Sequence, residues 1–141
     1  MDQIDHLIAE HRNLERLGAQ LIAAVEHSPP DTAAIGVVRW QMSLQLLRHM
    51  AREDGQVFDR LYRDGDAAGK AVARDFREQL TGLETEFRAY MLDWPLDRIT
   101  REWLDFERVT RAILGKLAKR IADEEAKLYP HARAVRARPA A

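Results

Sequence analysis

His49 and Glu53 stand four residues apart in the stretch Leu46-Leu47-Arg48-His49-Met50-Ala51-Arg52-Glu53. On a helix, residues at i and i+4 lie one above the other and can address the same point. An imidazole nitrogen and a carboxylate oxygen placed in that way can share a proton or hold one cation. Towards the other end of the chain, Arg120 and Glu124 repeat the spacing with arginine in the histidine position. A guanidinium is permanently charged and only donates hydrogen bonds, so the second pair offers a single ligand where the first offers two. His11, embedded among leucines and isoleucines, adds a third candidate segment.

Each of these residues falls in the apolar stripe of an amphipathic helix. The first helix is expected from about Asp2 to Glu26, with Ile4, Leu7, His11, Leu14, Gly18, Leu21 and Val25 on one face; the 3-4 alternation marks a single buried seam. Ser28-Pro29-Pro30-Asp31 breaks it, because proline lacks an N–H donor and disfavours helical geometry before it, and Asp31 is suited to cap the next helix. The second helix is expected over about Thr32 to Tyr62, its seam holding Ile35, Val38, Met42, Leu46, His49, Glu53, Val57 and Leu61. Asp64-Gly65-Asp66 turns the chain, with Gly65 suited to a left-handed helix end and Asp66 to a cap. The third helix, from about Ala67 to Leu92, carries Val72, Phe76, Gln79 or Leu80, Leu83, Phe87 and Tyr90 at helical spacing and no histidine. After Trp94-Pro95-Leu96-Asp97 the fourth carries Ile99, Trp103, Phe106, Thr110, Ile113, Leu117, Arg120, Glu124 and Leu128, with Pro130 as its expected stop.

Four such helices with short connections predict an all-α, up-down-up-down antiparallel four-helix bundle over residues 1–132. A basic tail over 133–141, with Arg133, Arg136 and Arg138, is expected to fray. Counting from the shared end of the bundle places His11, His49, Glu53, Arg120 and Glu124 at one level, with Gln79 the polar residue expected from the third helix. Buried groups of this kind must pair with one another, with water or with a metal. Trp40, Trp94 and Trp103 are read as packing residues, and His6, His27 and His131 as helix-end or solvent-facing groups.

At 141 residues, 46% hydrophobic and 32% charged, the composition suits one helical domain. The net charge of −1 comes from interspersed acids and bases, which argues against a nucleic-acid partner. The absence of cysteine removes disulfides, thiolate nucleophiles and cysteine-ligated metals. Without a long apolar run no membrane span is expected, and a cytoplasmic protein is the default.

The chain resembles the hemerythrin-like, or HHE cation-binding, domain family. The resemblance rests on Glu10-His11-Arg12, on His49-x-x-x-Glu53-Asp54, and on Asp123-Glu124-Glu125-Ala-Lys-Leu128-Tyr129-Pro130, and it spans about residues 3 to 131. It implies a four-helix bundle around a non-haem, usually di-iron, centre in proteins that carry or sense oxygen, sense iron, or serve stress and redox responses. His11, His49, Glu53 and Glu124 match the family's ligands. Gln79 and Arg120 stand where the pattern has histidines. Three arrangements follow: a metal-free polar layer in which Arg120 bridges Glu53 and Glu124; a single cation on His11, His49, Glu53 and Glu124, with Arg120 swung outward; or a complete di-iron centre, for which too few ligands remain. The expected function is a regulatory or sensory module with a reduced or lost metal site, the alternative being an iron protein that binds or senses oxygen or iron. No enzymatic activity is expected. A protein partner and the oligomeric state are not specified by the sequence.

Overall fold

The computed structural model describes residues 2–137, and every regular element among them is helical. Asp2 accepts a hydrogen bond from the Asp5 N–H at 2.8 Å while the Asp5 carboxylate accepts from Asp2, a reciprocal cap that starts α1 (Gln3–Glu26). Asp31 caps α2 (Thr32–Glu53) by accepting from the Ala34 N–H at 3.0 Å. The second helix then widens into a π-helical segment, Asp54–Asp59, before resuming as α3 (Arg60–Asp64). Asp66 accepts from the Gly69 N–H at 2.8 Å and starts α4 (Ala67–Asp93). A short α5 (Leu96–Arg101) leads into α6 (Trp103–Asp123), which passes through a second π-helical segment, Glu124–Leu128, into α7 (Tyr129–Ala137). Among the described residues the four expected helices are therefore interrupted by two π segments and one break at Glu102.

Neighbouring helices run antiparallel, as cross-links show. Arg60 meets Gln3 while Arg52 meets Glu10, pairing α1 with α2 and α3. Arg77 meets Asp54, and the Tyr62 hydroxyl donates to the Ala73 carbonyl at 3.4 Å. Lys116 pairs with Glu86 at 2.7 Å and the Tyr90 and Thr110 hydroxyls lie 2.7 Å apart, tying α4 to α6. Arg111 pairs with Glu26 at 2.5 Å, and Arg133 with Asp2 at 3.0 Å and Asp5 at 2.8 Å.

The seams bury as amphipathic helices should, with local corrections. Leu17 is buried where Gly18 was expected, because the first seam is a residue wider than a strict 3-4 reading allows. Trp40 is 64% exposed and is not a core residue, whereas Trp94 is buried. Gly65 is extended, at φ −75°, rather than left-handed. Its glycine is required by proximity: a Cβ there would lie 2.5 Å from the Leu61 carbonyl oxygen. Pro130 does not stop the last helix. The π segment just before it has already widened the backbone where the ring would otherwise meet the preceding turn. Residue 133, the expected start of a fraying tail, is helical, and Arg133 is held by two aspartates; residues 138–141 lie outside the described residues. No helix among the described residues is long and apolar enough to cross a membrane.

Candidate metal centre

α1, α2, the second π segment and α7 bring His11, His49, Glu53, Glu124 and Tyr129 together in one buried layer. His11 Nε2 lies 2.9 Å from Glu124 Oε1, 3.0 Å from His49 Nε2 and 3.2 Å from the Tyr129 hydroxyl. His49 Nε2 lies 3.3 Å from Glu53 Oε2 and 3.8 Å from Glu124 Oε1. The four potential ligand atoms from His11, His49, Glu53 and Glu124 fall within 4.8 Å of one another. Four donors around one ion at bond lengths near 2.1 Å would be spaced by ~3.4 Å, so the layer is already close to ligand spacing.

The outer nitrogens show which way each ring faces. His11 Nδ1 donates to Glu125 Oε2 at 2.8 Å, and His49 Nδ1 donates to Glu10 Oε1 at 3.0 Å. Each carboxylate is itself held by an arginine, Glu125 by Arg12 and Glu10 by Arg52. A carboxylate behind each imidazole fixes the tautomer with the proton outside, turning both Nε2 lone pairs into the centre. Two bare lone pairs at 3.0 Å repel unless a proton or a cation lies between them or beside them.

The electrostatics of the cluster by itself agree. Burial lowers the His49 pKa, but hydrogen bonds to Glu124 and Glu53 and the charges of both outweigh it and raise it to about 10. Glu53 is pushed up to about 7, first by burial and then by the charge of Glu124. Burial also acts to raise Glu124, yet hydrogen bonds with His11, His49 and Glu53 and the Arg120 charge hold it well below the ordinary carboxylate value. Burial and the two carboxylates raise Tyr129 far above a normal phenol, so it stays a neutral donor and gives its proton to Glu53 Oε2 at 2.7 Å.

Arg120 lies within this layer but does not bridge Glu53 and Glu124. Its Nε donates to Glu124 Oε2 at 2.7 Å and its Nη1 to the Phe76 carbonyl at 2.9 Å, with the guanidinium over the Phe76 ring at 4.8 Å. It remains buried instead of swinging outward, and by turning towards α4 it leaves Glu124 Oε1 free to face His11. Gln79 is exposed; Phe76 and Leu80 hold the inward positions of α4 at this level, because its buried face follows Phe76, Leu80 and Phe87.

Two buried polar atoms of the layer lack a protein partner: Glu53 Oε1 and Arg120 Nη2. Both residues line a cavity of about 20 Å³ beside the cluster, room for one water-sized occupant. Two imidazoles with carboxylate partners behind them, two carboxylates and an orphaned carboxylate oxygen fit a divalent cation. The donor set suits iron, manganese or zinc.

Sequence reasoning missed Glu10, Glu125 and Tyr129 as site residues. The two glutamates adjoin ligands in the sequence, a usable signal. Tyr129 is five residues from Glu124, out of phase on an α-helix but brought to 3.2 Å from it across the π segment.

No curated protein and no solved structure matches the chain. Residues 2–137 match the hemerythrin HHE cation binding domain, so the chain belongs to the hemerythrin HHE cation-binding domain family.

Proposed function

We propose that the protein is a single-cation sensor built on an up-down four-helix bundle, with iron as the cation and Arg120 in place of the second metal's ligands. The observation that carries this reading is the orientation of His11 and His49, each backed by a carboxylate at 2.8 and 3.0 Å so that both Nε2 atoms converge with Glu53 and Glu124. His11, His49, Glu53 and Glu124 hold the cation, Tyr129 orients Glu53, and Arg120 balances Glu124. When bound, the iron supplies redox and small-ligand chemistry. The protein supplies an enclosed pocket with space for one water-sized molecule, which favours sensing over turnover of a larger substrate. Action in the cytoplasm, through a protein partner, completes the reading.

The test is a titration of the metal-free protein with Fe(II) under anaerobic conditions, followed by calorimetry and thermal melting. Uptake of one equivalent, with stabilisation of about 2.7 kcal/mol once free metal reaches a hundredfold excess over Kd, supports the reading. Absence of both uptake and stabilisation would leave a metal-free polar layer, held by a proton between the histidines.

A further inference from the structure

Filling the centre creates an imbalance of charge. Inside it, the two charges of Glu53 and Glu124 stand against one guanidinium, Arg120, which pairs with Glu124, whereas the outer carboxylates Glu10 and Glu125 are already matched by Arg52 and Arg12. A divalent cation coordinated by neutral histidines therefore leaves one positive charge in excess in a dry layer, which is costly unless another anion approaches. The orphaned Glu53 Oε1 and Arg120 Nη2 show that the layer is incomplete as it stands.

One carboxylate is placed to complete it. Glu84, on α4, is half-buried and lines the same small cavity as His11, His49, Glu53, Arg120 and Glu124. Among the described residues it has no hydrogen-bond or ion-pair partner, although the other carboxylates around the centre are all engaged. Glu84 also lines a second, mostly apolar groove of about 320 Å³ between α2 and α4, walled by Leu46, Leu47, Met50, Phe87 and Met91 with Arg88 on its α4 side. Leu46, Met50 and Glu84 are common to both spaces, so Glu84 is the charged group where the groove meets the centre. The four ligand residues are themselves almost wholly buried, so an incoming cation must pass between helices.

We propose that Glu84 is the closing carboxylate of the cation site: it meets the cation at the α2/α4 mouth and neutralises the filled centre, directly or through one water. This inference rests on the single-cation reading above. It gives α4, which contributes none of the four ligands, a specific part in binding.

Calorimetric titration of the metal-free protein with Co(II) tests it, comparing wild type, Glu84→Gln and Glu86→Gln. Glu86 is the control, a carboxylate on the same helix paired with Lys116 on the outer surface. Glu84→Gln should weaken Co(II) binding by at least about tenfold at unchanged stoichiometry, with Glu86→Gln within about threefold of wild type. The melting temperature of the metal-free Glu84→Gln protein should match wild type, and only the Co(II)-induced rise should shrink. A loss below tenfold, or a fall in metal-free stability that accounts for the weaker binding, would overturn the role of Glu84. Failure of the wild type to take up Co(II) would overturn the cation reading itself, a separate outcome from uptake that ignores Glu84→Gln.

Discussion

The segments of α2 and α6 that meet at the centre differ chiefly in one residue. Each places a polar side chain and a glutamate at i and i+4, His49 with Glu53 and Arg120 with Glu124, and each runs into a π-helical turn at the glutamate. The wider turn follows the carboxylate in both, a device that recurs at functional sites because it re-aims side chains without ending the helix. On α2 the pair yields two inward ligands. On α6 the arginine takes one oxygen of Glu124 and the Phe76 carbonyl, so the pair yields one ligand and a fixed positive charge. On the proposed single-cation reading this difference sets the cation count: the α2 side would coordinate, while the α6 side holds a guanidinium where a further ligand would stand.

The α2 side can be broken most completely. His49→Ala and Glu53→Ala should each abolish stoichiometric cation uptake, with an affinity loss beyond the 10–100-fold typical of an outer carboxylate, ~10³-fold or more by calorimetry. On the α6 side, Arg120→Ala leaves Glu124 short of its cationic partner and should lower the metal-free stability by about 3 kcal/mol in chemical denaturation. An unchanged midpoint would mean the guanidinium does not hold that side together. Restoring histidine sharpens the contrast: Arg120→His with Leu80→His should raise the uptake towards two cations, whereas Arg120→His with Gln79→His should not, because Gln79 is exposed.

Smaller effects follow from the surrounding groups. Glu10→Gln and Glu125→Gln should each weaken the cation about 10–100-fold by loosening one histidine. The pH dependence should be gentler and of opposite sign in the two states. Glu53, raised from 4.5 to about 7, and His49, raised from 6.5 to about 10, both bind protons more tightly in the folded cluster. Their contribution to metal-free stability is therefore lost as pH rises, Glu53's through 4.5 to about 7 and His49's through 6.5 to about 10. Denaturation midpoints of the metal-free protein should fall between roughly pH 6 and 9, while the cation affinity climbs over the same range because uptake displaces those protons. A cation affinity that falls with pH would contradict the coordination by Glu53 and His49.

The helical class, the caps at Asp31 and Asp66, and the convergence of His11, His49, Glu53 and Glu124 were legible because a period of 3.6 survives in the apolar seams. What the sequence concealed is where that period changes. Both π segments shift the phase, and the second hides Tyr129 from Glu124 and carries the last helix through Pro130 to Ala137. Gln79 is the polar residue at this level of α4, but the inward face there is taken by Phe76 and Leu80, which pack. Arg120 was expected either to bridge Glu53 and Glu124 or to swing outward; its direction depends on the Phe76 carbonyl and ring, long-range contacts that no local spacing encodes.

One His/Glu pair and one Arg/Glu pair, with His11, should together hold a single cation. The most direct measurement is the metal content per chain of protein purified from iron-replete cells and then saturated with Fe(II), by elemental analysis. About one iron per chain is expected, lost in Glu53→Ala. A saturated content near two, or one below roughly a tenth of an equivalent, would contradict it.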